Sequence, residues 1–241
     1  MRPLKGKLIL SFLAFAVLSL GSAGAANAGS ITFSTGNAID LTGTGFGTRL
    51  TVLSLQNNGT ETGATTFVAP LGTGDSTNQD SLLSIAALQG IGVRSASEVQ
   101  LIYNLNQQGN ADGQIANLTA ATATFYDSAG GIVATASLTS TFTAAPFNQG
   151  NGGSGYIATF NFTAEELVAI NALFASGQGF FGLSATITNA NDGADSFFVR
   201  DGDPSTAPIP EPATMILLGT GLAGVAAKVR KRRKGEPEET V

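Results

Sequence analysis

Apolar and polar positions alternate in short runs through the middle of the chain, the pattern of strands with one face buried and the other in water. Leu50-Thr51-Val52-Leu53-Ser54-Leu55 is the first such run. From Glu98 to Leu105 the alternation puts Val99, Leu101, Tyr103 and Leu105 on one face. Thr119–Tyr126 and Ile132–Phe142 are separated by Asp127-Ser128-Ala129-Gly130-Gly131, which predicts a β-hairpin. Tyr156–Phe162, Phe181–Ile187 and Phe197–Val199 complete the predicted strands. Two stretches change to helical period. Ala164–Ser176 carries Leu167, Ile170 and Phe174 on one face, with a Thr163/Glu166 capping box before it and Gly177 after it. Asp80–Leu88, stopped by Gly90, predicts a shorter helix with Leu82, Ile85 and Ala86 as its apolar side. The expected fold is mainly β: an antiparallel β-sandwich, jelly-roll-like in its strand spacing, with one or two short helices.

The two ends of the chain depart from this pattern. Arg2, Lys5 and Lys7 precede an apolar run from Leu8 to Leu20, and Ala26-Asn27-Ala28 has the small-x-small form of a signal-peptidase site. Residues 1–28 are therefore expected to be a signal peptide, with the mature chain starting at Gly29. At the other end Pro210-Glu211-Pro212 is a stiff, extended element without two of its amide donors. Ala213 to Ala227 follows without a charge. As a helix it would span about 22 Å, at roughly 1.5 Å per residue, against a hydrocarbon core of about 30 Å. A basic cluster, Lys228, Arg230, Lys231, Arg232, Arg233 and Lys234, comes next. By the positive-inside rule it stays cytoplasmic and leaves everything before Pro208 outside, with one C-terminal membrane helix between. The expected organisation is a signal peptide at 1–28, an exported domain at 29–201, a linker at 202–209, a terminal signal at 210–234 and an acidic tail at 235–241.

That tripartite end resembles the PEP-CTERM sorting signal of Gram-negative bacteria. Besides Pro210-Glu211-Pro212, the matching residues are Ala213-Thr214-Met215, Leu217-Leu218-Gly219, Gly221-Leu222-Ala223-Gly224 and the basic cluster. Ile209 stands where the family usually has Val, and Gly235–Val241 extends beyond its usual end. The resemblance implies an exosortase, a membrane-embedded cysteine peptidase, as processing partner. It further implies an inner-membrane-anchored precursor in the periplasm, then a place on the surface or in the matrix of an exopolysaccharide-producing cell. It covers about 30 residues and gives the exported domain an address rather than an activity.

Charge narrows the remaining classes. Residues 29 to 212 hold three basic residues, Arg49, Arg94 and Arg200, against fourteen acidic ones. Such a surface repels phosphate backbones, so no nucleic-acid partner is expected. The chain has no Cys and no His. Disulfides, Ser-His and Cys-His nucleophiles and His-ligated zinc are thereby excluded. No enzyme activity and no cofactor are expected. The acid and amide cluster around Asn191, Asp192 and Asp195, with Asn189, Asp201 and Asp203 nearby, is a candidate calcium site. Turn chemistry accounts for the same residues, and Gly193 falls at the fifth position from Asn189, not at the sixth that an EF-hand requires. Tyr103, Tyr126 and Tyr156 could stack on sugars or pack in the core. Two alternatives to a non-enzymatic matrix protein follow. A flat aromatic or amide strip would mark a carbohydrate-binding module of the exopolysaccharide layer. Two buried acids facing across a cleft would mark a carboxylate-dependent hydrolase.

Overall fold

The computed structural model describes residues 28–41, 48–106, 115–145, 153–191 and 193–202. Four strands open the domain: β1 (Gly29–Asp40), β2 (Arg49–Leu55), β3 (Asn58–Thr66) and β4 (Ala69–Gly74). A two-residue strand β5 (Leu83–Ser84) leads into helix α1 (Ile85–Gly90), and a 3-10 turn (Ala96–Glu98) leads into β6 (Val99–Leu105). Next come β7 (Ala116–Tyr126), β8 (Ile132–Leu138), β9 (Phe142–Ala144) and β10 (Ser154–Asn161). Helix α2 (Ala164–Ser176), β11 (Phe180–Asn191) and β12 (Asp195–Asp201) close it.

The described strands form one 12-stranded sheet in the order β2-β12-β6-β10-β1-β8-β7-β11-β3-β4, with β5 added to β11 and β9 to β7. The mainly β expectation holds. A division into two facing sheets is not delineated, because the hydrogen-bonded path runs on and its two ends approach each other like a nearly closed barrel. The seam lies between β2 and the segment after β4. There Gln56 N donates to Asp75 O (3.1 Å), Thr77 N donates to Ser54 O (2.9 Å), and Leu55 bridges Ser76. Nor is the sheet purely antiparallel as expected: β1 runs antiparallel to β10 but parallel to β8, with Gly29 opposite Ala136.

The register gives the barrel two distinct ends. Gly29 lies opposite Ala136, Ser30 opposite Asn161, Tyr126 opposite Ile132 and Phe180, and Asp201 opposite Val99. These positions define one end. Helix α2 connects β10 to β11 there, so this is the helical end. Asp40, Leu105, Asn58 and Asn191 lie at the other, the loop end.

Helix α2 has the bounds that the sequence predicts. Thr163 and Glu166 form the capping box, and Gly177 takes a left-handed φ of 66°, where an L side chain would be strained. Leu167, Ile170 and Phe174 turn inward as expected, the last two fully buried. The shorter helix differs. Ser84, not a residue near Asp80, supplies its N-cap by accepting from Ala87 N at 3.1 Å. Leu83–Ser84 pairs with Phe180–Phe181 first, and Asp80 is drawn away into the seam.

The predicted hairpin forms between β7 and β8, but the run Ile132–Phe142 is not one strand. Exposed Thr139, Ser140 and Thr141 interrupt it with a one-residue shift of register, and Phe142–Ala144 continues in the same direction along β7, opposite its start. The core inside the barrel is aromatic at its centre. Tyr103 stacks on Phe197 (4.9 Å between ring centres), Phe33 on Phe142 (5.6 Å), and Phe125 meets Phe181 edge-on (5.0 Å). Outside the sheet, Leu41 covers Ile102 and Phe198 in a second, smaller cluster.

Candidate functional site

Most of the residues nominated for sorting lie outside the described part of the chain: Ala26, Pro210, Glu211, Pro212, Lys228, Arg230, Lys231, Arg232, Arg233 and Lys234. The same holds for the expected membrane helix. Among the described residues no helix is long and apolar enough to cross a membrane. Ala28 is described. It is exposed and directly precedes β1. Gly29 is buried, and its amide donates to Glu166 Oε1 of the α2 capping box at 3.2 Å. The junction expected to be cleaved therefore sits where an exposed residue meets the first residue of the sheet. At the other end of the domain Gly202 N donates to Glu98 O (2.8 Å), which holds the end of β12 at the helical end.

Two of the three calcium candidates are described. Asp192 lies outside the described residues. Asn191 pairs with Asn58 at the end of β11, after a bulge at Asn189, which takes φ 63°. Asp195 is fully buried in β12. Its Oδ1 accepts from Asn106 N (2.6 Å) and its Oδ2 from the Tyr103 hydroxyl (3.3 Å). Among the described residues no group of three acids is placed to hold a metal ion.

One buried acid beside Tyr103 and Asp195 was not among the candidates read from the sequence. Glu61 is fully buried in β3, where its Oε1 accepts from Asn57 N at 2.9 Å. Tyr103 lies between acids. Burial pushes its hydroxyl well above the usual tyrosine range, and the charges of Asp195 and Glu61 add to the shift. It therefore stays protonated and donates to Asp195. Tyr156 donates its hydroxyl to Ala145 O. With Tyr126 also buried, the three tyrosines are packing groups and do not form an exposed sugar platform. The signal that could have found this cluster is an acid at an inward position of an alternating strand, as Glu61 is between Gly59 and Gly63. Glu166 caps α2, its Oε2 accepting from Thr163 N at 2.8 Å, and Glu165 lies exposed in the first turn.

Asp80 has a titration that bears on the barrel seam. Its Oδ1 accepts from Ser54 N at 2.5 Å, tying the chain after β4 to β2. Burial pushes its carboxyl up to about 6, and hydrogen bonds from Ser54, Ser76 and Thr77 hold it back from a larger shift. The folded state thus holds this proton more tightly than the unfolded chain does. Stability from this group is present below the ordinary carboxylate range and is lost as pH rises to about 6. Asp80→Asn keeps an acceptor for Ser54 and removes the charge. The variant is expected to match wild type near pH 4 and to exceed it at pH 7 by about 1–2 kcal/mol. Urea midpoints at the two pH values measure this, and an unchanged difference between them would place the titration elsewhere.

No curated protein and no solved structure matches the chain. The family model of the PEP-CTERM protein-sorting motif matches residues 208–233. A few residues beyond β12 the chain thus carries a motif of the kind that marks exported proteins for an exosortase.

Proposed function

We propose that this is a non-enzymatic surface or extracellular-matrix protein, exported by its N-terminal signal peptide and released from the inner membrane by an exosortase. The observation that carries the reading is the sorting motif at residues 208–233, set behind a β domain. The apolar run Ala213–Ala227 serves as a temporary membrane segment. It falls about 8 Å short of a hydrocarbon core, which suits a segment that is to be removed. The domain itself supports a structural role. Its buried acids Glu61, Asp80 and Asp195 accept hydrogen bonds from backbone amides and so belong to the frame of the barrel. In an exopolysaccharide layer its acidic surface, with three basic residues in the exported part, would keep it soluble among polymer chains.

The test is Glu211→Ala. The substitution leaves the apolar run and the basic cluster intact, so membrane topology is unchanged. Wild type is expected to be shortened at its C-terminus and to leave the inner membrane, and the variant to remain full-length in it. Mass spectrometry of fractionated cells reads both. Identical C-termini in identical fractions would leave only a plain anchor.

A further inference from the structure

The first strand begins at a residue with no room for a side chain. A Cβ on Gly29 would lie 2.7 Å from the Phe162 ring and 3.1 Å from the Asn161 carbonyl oxygen. Gly29 is buried opposite Ala136 of β8, and the next residue, Ser30, lies opposite Asn161 of β10. The Gly29 nitrogen donates to Glu166 Oε1 at 3.2 Å. The other oxygen of that carboxylate, Oε2, accepts from Thr163 N (2.8 Å) and from the Thr163 hydroxyl (3.0 Å). One carboxylate therefore ties the start of β1 to the cap of α2. Ala28, immediately before, is exposed.

This tie falls at the bond expected to be cleaved, after Ala26-Asn27-Ala28. Hydrolysis by a signal peptidase breaks the bond between the Ala28 carbonyl carbon and the Gly29 nitrogen. The hydroxyl of water goes to Ala28 and its hydrogen to Gly29, whose freed amine takes up a further proton below about pH 8. A neutral amide donor thus becomes an ammonium with three donors, beside a carboxylate. Hydrogen bonds between charged groups are roughly twice as strong as neutral ones.

We propose that removal of the signal peptide completes the fold: in the mature chain the α-ammonium of Gly29 forms a part-buried ion pair with Glu166 and fastens β1 to α2. This rests on the proposed export by a signal peptide, cleaved after Ala28. β8 and β10, the strands beside Gly29, carry no charged side chain. α2 brings Glu166 and, exposed in its first turn, Glu165. Both are acids and favour the charged amine. The folded state then holds the proton more tightly than the unfolded chain does. Stabilisation is full below the ordinary α-amino range of about 7.7–8.0 and is lost as pH rises through the raised value.

Residues 29–227 contain no lysine, so the Gly29 amine is distinguished by peptide mass from the lysines of the C-terminal cluster. The exported protein is isolated from cells as wild type and as Glu166→Gln, and mass spectrometry reads its N-terminus. Glutamine serves at this position of a capping box, so the variant keeps α2 and loses only the charge. Trace acetylation from about pH 6 to pH 11 titrates the amine. Its pKa is expected about one unit above the ordinary range in wild type and within that range in Glu166→Gln. Complete acetylation keeps the N–H donor and removes the charge. At about pH 6.5 it is expected to raise the unfolding equilibrium constant of wild type about tenfold and to leave that of Glu166→Gln unchanged. Equal pKa values in the two proteins, or equal effects of acetylation, overturn the ion pair. An exported protein that begins at a residue other than Gly29 also overturns it and leaves export standing. A chain that keeps residues 1–28 overturns the cleaved-signal reading and the pair together.

Discussion

Phe181→Ala is expected to destabilise the domain by about 3–5 kcal/mol, the range for removing a buried aromatic ring. Phe181 is fully buried in β11, opposite Phe125 on one side and Leu83 on the other. Its ring meets Phe125 at 60°, Phe125 meets Phe162 at 6.0 Å, and Phe162 stacks on Phe160 at 5.4 Å. The cavity would open beneath α2, where Phe174 and Ile170 also pack. Strands on both sides hold the backbone in register, so the site cannot collapse to fill it. For a domain of this size the loss corresponds to a fall in Tm of about 10 °C or more. Thermal unfolding of residues 29–202 measures it. A loss below about 1 kcal/mol would mean that the aromatic cluster is not packed as described.

Asp195→Ala is expected to cost about 3–4 kcal/mol for a different reason. The carboxylate accepts from the Asn106 amide and the Tyr103 hydroxyl, and removing it leaves two donors under the surface. Each orphaned donor costs about 1–3 kcal/mol. Adding Tyr103→Phe removes one of those donors, so the double variant is expected to be more stable than the two single losses would sum to. Asp195→Asn retains an acceptor and is expected to cost less than the alanine. Calcium is expected to leave the wild-type midpoint unchanged, since the Asp195 oxygens accept from protein donors. A calcium-dependent rise that vanishes in Asp195→Ala would reassign the residue to a metal site.

What could be read from the sequence was local. Thr163, Glu166 and Gly177 name both ends of α2, because caps act within one turn. β6 was visible because Val99, Leu101, Tyr103 and Leu105 are large and apolar on the buried face. β3 obeys the same period of two and was missed. Its buried positions are Glu61, Gly63 and Thr65, which carry no hydrophobic signal. Gly63 is there because a Cβ would lie 2.6 Å from both Leu55 and the Thr73 carbonyl. β1 is likewise rich in Gly, Ser and Thr, and β4 (Ala-Pro-Leu-Gly-Thr-Gly) has one large apolar side chain and no alternation of apolar and polar residues. The seam depends on Asp80 reaching Ser54 across the sequence, and the parallel β1–β8 pair joins strands distant in the chain. Nothing in a single run of residues records such pairings. The sorting motif was legible for the opposite reason: its three unlike parts are contiguous.

The position of β1 sets the order of events in time. The first strand of the domain to be made has β10 and β8 as its two neighbours, both from the second half of the domain. Its first residue bonds to Glu166, 137 positions later. The leading strand therefore waits with both edges open until β8 has been made, and with one edge open until β10 follows. Assembly that depends on such distant pairings belongs to the slow class of folding reactions. The β3–β4 and β7–β8 hairpins join sequence neighbours and can pair early, whereas a chain threaded outward from its N-terminus would complete its sheet last, when β12 fits between β2 and β6.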